Sequence, residues 1–446
     1  MLATPEAPTV RNSVKPPLIR IAGLEKTYAG GSVHALSRIG LDIAEGEFVC
    51  VVGPSGCGKS TLLRSMIGLL TPTTGEVRHR GHPLEGVAPG MAMIFQSFAL
   101  FPWLTIAQNV ELGLEAQGVS PLERKRRAQE MIDLIGLDGF ERAFPKELSG
   151  GMRQRVGFAR ALVTNPEVLF MDEPFSALDV LTAENLRSDL LELWLEKRIG
   201  TKAILIVTHN IEEAVSLADR IVVLAPNPGR VRSEIAVNLR HPRDRDDPAF
   251  RELVEKVYTI MTTPPPSMEQ VAPGADRSSL GFRLPAAPVG RLMGLLERVA
   301  EEDYGQDDLP RISSEMHLEV DDLFPLTDAA ELLGFAQVQG GDIRLLPSGT
   351  ALVEAESGQR KTIFAEHLLT RVPLCAHILH ILETRPDRRA PEERFLRELE
   401  DFMPPEDAAK VLDTATQWGR YAELFEYDLN SGVFSLEASQ PVPANA

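Results

Sequence analysis

An α/β fold is predicted by three apolar runs of strand length, each ending in residues of chemical interest. Glu47-Phe48-Val49-Cys50-Val51-Val52 leads into Gly53-Pro54-Ser55-Gly56-Cys57-Gly58-Lys59-Ser60, and the chain then continues at helical spacing through Thr61 to Ile67. Val168-Leu169-Phe170-Met171 ends in Asp172-Glu173, and Ala203-Ile204-Leu205-Ile206-Val207 ends in Thr208-His209. Continuous apolar runs of this length are buried strands. In open α/β sheets ligands sit beyond the C-terminal strand ends, where all three polar groups fall.

The first run carries a G-x-x-x-x-G-K-[ST] loop. Backbone N–H groups from Gly53, Ser55, Gly56, Cys57 and Gly58 are expected to face phosphate oxygens of ATP, with Lys59 as a point charge and Ser60 and Thr61 opening the helix. Ser60 is a candidate Mg²⁺ ligand. A lone loop of this kind arises by chance, but the strand ending in two carboxylates supports it: Asp172 is expected to face the metal and Glu173 an attacking water. His209 adds an imidazole at the same sheet edge.

Leu148-Ser149-Gly150-Gly151-Met152-Arg153-Gln154 offers a hydroxyl and close backbone donors just before a helix through Ala159-Arg160-Ala161-Leu162. That is a second anion site. One triphosphate clamped between the two kinds of site would join two copies of the chain.

With these motifs in this order, residues 18–240 resemble the ATP-binding cassette (ABC) family. The resemblance implies a P-loop NTPase cassette with a RecA-like core, an antiparallel β-subdomain and a helical subdomain. It implies that Tyr28 stacks on adenine and that Gln96 links Mg²⁺ and water to a partner-contacting subdomain. Ser149, Gly150 and Gly151 would bind the γ-phosphate held by the second cassette, Asp179 would communicate across that interface, and His209 would contact the γ-phosphate. Met152 stands where the family signature most often has glutamine, which leaves the serine and glycines intact.

One uninterrupted cassette resembles a transporter subunit. The segment Phe98-Ala99-Leu100-Phe101-Pro102-Trp103-Leu104-Thr105-Ile106-Ala107-Gln108-Asn109-Val110 resembles the nitrate, sulfonate, taurine and bicarbonate importer group. This implies an ATP-sandwiched homodimer on the cytoplasmic face of the inner membrane, transmembrane permease subunits and, indirectly, an extracytoplasmic solute-binding protein. Large apolar side chains suit a groove for a partner helix, and packing within the helical subdomain competes for some of them. A soluble ATPase acting as a regulatory or assembly factor is the alternative, and export is a third.

Composition narrows the classes further. Across 446 residues with 43% hydrophobic content, no run approaches the roughly 18 apolar residues of a membrane span. Met1 to Pro17 is polar and proline-bearing, unlike a signal peptide. Cys50, Cys57 and Cys375 suggest no disulfide framework. Cys57 is expected to pack within the phosphate loop, with alkylation sensitivity the sharper reading. A formal charge of −18 argues against nucleic acid as a partner. The exception is Arg124-Lys125-Arg126-Arg127, on a helix with Glu123 and Glu130, where a solvated face competes with proximity to anionic lipid.

Residues 241–285 are predicted to hold a helix around Phe250–Thr262 and then a linker with Pro264-Pro265-Pro266. Beyond lies an α+β, winged-helix-like regulatory domain over 286–436, starting with a helix at Val289–Glu302. Thr327-Asp328 is expected to cap a helix ended by Gly334, followed by a wing hairpin over Asp342–Val353. Glu406–Leu412, Leu424–Asp428 and Val433–Leu436 echo that pattern. Asp328–Leu333 offers two acids and no base, so protein contact is favoured over DNA. The region resembles the C-terminal, AAA-associated-type extension of some cassettes in this importer group. His367, Cys375, His377 and His380 lie close in sequence; buried or interfacial histidines are the expectation over metal sensing.

Overall fold

Two sheets of different character build the first unit of the computed structural model, Met1–Leu253, the second unit being Val254–Ala446. The structure describes residues 16–28, 33–96, 99–226, 228–263, 280–302, 305–316 and 318–436. The first sheet is antiparallel, in order β2 (Val33–Ile43), β1 (Ile19–Tyr28), β4 (Thr74–His79) and β5 (His82–Pro83), with Ile19 opposite both Ile43 and His79.

The second sheet has order β10-β9-β3-β8-β7-β6. In it β3 (Glu47–Val52), β6 (Met91–Ile94), β7 (Val168–Asp172), β8 (Ala203–Val207) and β9 (Arg220–Ala225) run parallel, and β10 (Arg230–Ala236) pairs antiparallel at one edge. Every residue of β7 and β8 is buried, which is why these strands, apart from Asp172 at the end of β7, are apolar instead of alternating. Each fully buried Val, Leu, Ile or Phe contributes roughly 1.5–3 kcal/mol from the area removed from water. The helices α1 (Lys59–Met66), α5 (Val180–Leu195) and α6 (Ile211–Leu217) follow β3, β7 and β8 in the chain.

Between β6 and β7, α2 (Ile106–Ala116), α3 (Pro121–Leu134) and α4 (Gly150–Leu162) enclose a separate apolar cluster of Ile106, Val110, Leu114, Ala128, Ile132, Val156 and Ala159. Thr105 starts α2 with a reciprocal capping box: its hydroxyl accepts from Gln108 N, and Gln108 Oε1 accepts from Thr105 N. The arginines of the basic run on α3 are paired. Arg126 and Arg127 both donate to Glu123, whose carboxyl they hold down at about 2, and Arg124 lies 3.1 Å from Glu115. These ion pairs are what a solvated face requires.

The helix α7 (Pro248–Thr262) leads into the second unit, where one pattern occurs twice. First come α8 (Val289–Ala300), β11 (Gln306–Asp308), α9 (Leu309–Met316), α10 (Val320–Leu333), β12 (Ala336–Gln339) and β13 (Asp342–Leu345), with sheet order β11-β13-β12. After α11 (Pro347–Glu354) and α12 (Ser357–Arg371) come α13 (Pro373–Thr384), β14 (Arg389–Pro391), α14 (Glu392–Glu400), α15 (Pro405–Tyr421), β15 (Glu426–Asp428) and β16 (Val433–Ser435), with order β14-β16-β15. Each is helix, strand, two helices and a hairpin. The central pairs correspond, Asp307 with Ile343 and Ala390 with Phe434.

Three details of the first repeat differ from expectation. Thr327 and Asp328 do not cap a helix: α10 starts at Val320 with Glu319 at its N-cap and runs through Pro325, its apolar face continuing in Leu323, Phe324 and Leu326. Thr327 instead turns its hydroxyl back onto Phe324 O at 2.9 Å. The hairpin lies earlier than expected, turning at Gly340-Gly341, and residues 347–354 are helical because Pro347 takes the first helical position after an extended Leu346. Gly334 does end α10, at φ 73°. The expected linker falls largely on residues 264–279, outside those described.

The histidine cluster does not assemble. His367 Nδ1 lies 2.7 Å from Leu333 O, Cys375 is fully buried with its thiol pushed up by that burial, and His377 Nε2 lies 2.7 Å from Glu398. Among the described residues these side chains form no candidate metal group.

Candidate active site

Four neighbouring parallel strands present the expected residues at one sheet edge. The ends of β3, β8, β7 and β6 lead into the phosphate loop, Thr208-His209, Asp172-Glu173 and Gln96 respectively. Their adjacency follows from the strand order, since residues more than a hundred positions apart become neighbours when β7 and β8 insert beside β3.

The loop is shaped by its glycines and its lysine. Gly58 has φ 94°, and a Cβ there would meet Leu36 Cδ2 at 2.7 Å and Ala35 O at 2.9 Å. No other residue fits that backbone and that space. Lys59 is buried and donates to Gly53 O at 2.7 Å and Pro54 O at 3.3 Å, folding the loop around its own ammonium. Cys57 is fully buried, with its Sγ 2.8 Å from where a Cβ on Gly53 would lie, so packing explains it and alkylation does not.

Ser60 Oγ donates to Asp172 Oδ1 at 2.9 Å. Burial pushes the Asp172 carboxyl up, the Ser60 hydroxyl opposes that rise, and the neighbouring Glu173 charge adds to it. A hydroxyl and a buried carboxylate form a hard oxygen donor set suited to Mg²⁺, and the nearest guanidinium, Arg64, is at 4.0 Å.

Glu173 behaves oppositely. Its Oε2 accepts from Gln96 Nε2 at 2.8 Å, and His209 Nδ1 lies 3.3 Å from the same oxygen. The His209 imidazole holds the Glu173 carboxyl below the usual glutamate range, against burial. The two adjacent carboxyls are thus pushed in opposite directions, Asp172 up and Glu173 down. Glu173 also has φ 46°, a left-handed conformation for a residue that precedes a proline. Its N–H donates to Val207 O at 2.9 Å and its carbonyl accepts from Ser176 Oγ at 3.0 Å, so both sides of the turn are tied down.

Tyr28, at the end of β1, is 39% exposed, with its hydroxyl 3.4 Å from Thr61 Oγ1 and Lys26 Nζ 5.3 Å from its ring centroid. Its ring stands beside the helix that opens from the phosphate loop. Ser149 caps α4 by accepting from Met152 N, and Asp179 caps α5 by accepting from Thr182 N at 3.1 Å. Gly151 has a steric role absent from the sequence expectation: a Cβ would lie 2.2 Å from Thr182 Cγ2. The glycine lets α4 meet the start of α5.

The segment after Gln96 divides between core and surface. Ile106 and Val110 are fully buried, whereas Phe101 is 41% and Trp103 69% exposed, their rings 5.5 Å apart; Phe98 lies outside the described residues. Asn109 was missed as a functional candidate. Fully buried, it accepts from Phe101 N at 2.9 Å and donates to the carbonyls of Phe101, Leu104 and Thr105. The signal was an amide on the buried face of α2 between Ile106 and Val110, where only a residue with local backbone partners is tolerated.

A phosphate loop, a carboxylate pair and an imidazole at the edge of a parallel sheet, with a helical insertion between β6 and β7, define a nucleotide-hydrolysing cassette. Residues 36–176 match the family model described as ABC transporter, and residues 310–428 match that of the C-terminal AAA-associated domain. An uncharacterized ABC transporter ATP-binding protein of Methanocaldococcus jannaschii is 43% identical over 245 residues, 54% of this chain and 91% of its own length. A nitrate import ATP-binding protein of Synechocystis is 46% identical over 235 residues, covering 52% of this chain and 86% of its own. A taurine import ATP-binding protein of Mesorhizobium japonicum is 50% identical over 206 residues, 46% of this chain and 78% of its own. A solved dimeric ATP-binding cassette in a post-hydrolysis state with ADP and Pi matches 50% of this chain over its full length, at 35% identity and TM-score 0.45. The chain belongs to the family of ABC transporter ATP-binding proteins, and it is an ATPase.

Proposed function

We propose that this chain is the motor subunit of an importer, hydrolysing ATP to drive uptake of a small anion of the nitrate, sulfonate, taurine or bicarbonate class through a separate permease. The names of the nitrate and taurine import relatives support the solute class. The observation that carries the coupling role is the exposed Phe101–Trp103 pair, held in a fixed loop by buried Asn109 and lying a few residues after Gln96 in the chain. Two large exposed rings on a locked backbone suit the anchoring of a partner helix.

In this reading Gly53, Ser55, Gly56, Cys57, Gly58 and Thr61 cradle the phosphates, Lys59 neutralises them, and Tyr28 stacks on adenine. Ser60, Asp172 and Gln96 hold Mg²⁺, which supplies charge neutralisation at the phosphate oxygens. Glu173, ionised and oriented by Gln96 and His209, accepts the proton of the attacking water. Ser149, Gly150 and Gly151 of a second copy close over the γ-phosphate beside His209. Among the described residues no helix is long and apolar enough to cross a membrane. As the motor of such an importer the chain would lie peripherally on the cytoplasmic face beneath the permease. The C-terminal repeats serve as a regulatory module.

Mild-detergent extraction of a tagged chain at native expression, with mass spectrometry of stoichiometric partners, tests this reading. A permease is expected. Recovery of a soluble partner alone would favour the regulatory-factor alternative.

A further inference from the structure

One face of α4 is fastened along the segment that follows Glu173. Gly151, Gln154 and Phe158 recur at helical spacing, and each meets a different part of that segment. Gly151 closes on Thr182, Phe158 stacks on Phe175 with ring centroids 6.2 Å apart, and Gln154 Nε2 donates to Pro174 O. The same helix begins at Ser149, so its N-terminal end and Glu173 belong to one mechanically continuous block.

Gln154 is the unusual member. Its side chain is 1% exposed, and the Pro174 carbonyl, which can only accept, fixes the amide with its NH₂ inward. That leaves Gln154 Oε1 buried with no hydrogen-bond partner among the described residues. An apolar side chain of the same length would remove this orphaned acceptor but leave the buried Pro174 carbonyl without its donor, so the two effects oppose and the amide's net stabilisation is small. The amide's one bond instead reaches the peptide immediately after Glu173, the residue with φ 46°.

We propose that Gln154 is a positioning residue for ATP hydrolysis: through Pro174 it sets the backbone of Glu173 and passes movement of the Ser149–Gly151 end of α4 to that carboxylate. The proposal rests on Glu173 as the base in the reading above. Engagement of Ser149–Gly151 by nucleotide on a second copy thereby reaches the water-activating group without passing through the phosphate loop.

The test is Gln154→Met in the full chain, which keeps length and volume and removes the donor. We expect kcat for ATP to fall about tenfold while KM changes less than about twofold, because only the base is displaced. The melting temperature is expected to change little, since the orphaned Oε1 is gone while Pro174 O loses its donor. A lower melting temperature with parental kcat would overturn the proposal and leave Gln154 structural. A double-mutant cycle with Glu173→Gln separates the two readings. If Gln154→Met slows Glu173→Gln by the same factor as it slows the parent, Gln154 does not act through Glu173. If Glu173→Gln hydrolyses ATP at the parental rate, the base assignment itself fails. The expected result is a double mutant no slower than Glu173→Gln alone.

Discussion

Gln96 and Glu173, 77 residues apart in the chain, are joined by a 2.8 Å hydrogen bond from Nε2 to Oε2. The bond joins the chain just after β6 to the proposed base, and the exposed Phe101–Trp103 pair follows a few residues later in the sequence. Gln96→Leu is expected to lower kcat by about ten- to a hundredfold, because the carboxylate loses one of its two orienting partners. The magnesium concentration for half-maximal rate should rise. Steady-state ATPase assays across a magnesium titration check both effects.

Trp103→Ala separates coupling from chemistry. The side chain is 69% exposed, so stability should change by less than about 0.5 kcal/mol and basal ATPase should stay within about twofold. Permease recovery in detergent should drop sharply. Unchanged recovery would remove this loop from the interface.

Gly151→Ala places a methyl group 2.2 Å from Thr182 Cγ2. Forced overpacking at this junction of α4 and α5 is expected to destabilise the first unit by about 1–3 kcal/mol and to reduce activity. Thr182→Ser deletes the clashing methyl while retaining the N–H that Asp179 accepts, so the double mutant should recover both. Thermal melts and ATPase rates of the three variants measure it.

Acid lability should map partly to Glu167. Arg80 and Lys202 hold its carboxyl at about 2, below the ordinary 4.5. Because the folded value is depressed, the stabilisation is complete above the ordinary value and is lost as pH falls from 4.5 towards 2. Glu167→Gln should therefore be less stable than the parent at pH 7, with the gap closing below about pH 4. Urea titrations at several pH values would show it; a gap independent of pH would contradict it.

Much of the cassette was legible because its chemistry lies in contiguous motifs attached to buried strands. Lys59, Asp172, Glu173 and His209 follow runs whose burial leaves little choice of element, and the strand order then brings them together. What sequence hid was steric or conformational. Nothing in the motif shows that Gly151 is required by Thr182, that Glu173 lies at φ 46°, or that Asn109 locks the aromatic loop. In the C-terminal unit the hairpin was displaced because Leu345 and Leu346 continue an apolar run into Pro347, where the strand ends and a helix begins. The α10 start was hidden by Pro325, which reads as a break yet sits within a helix whose buried face runs through it.

Glu173 is central to the proposed mechanism, and the direct measurement is ATP turnover and oligomeric state of Glu173→Gln in the full chain. Hydrolysis is expected to fall by at least about a hundredfold, with ATP and magnesium converting the protein into a stable dimer by sedimentation. Turnover at the parental rate, or a variant that stays monomeric with saturating ATP, would contradict the proposed base and the ATP-clamped dimer respectively.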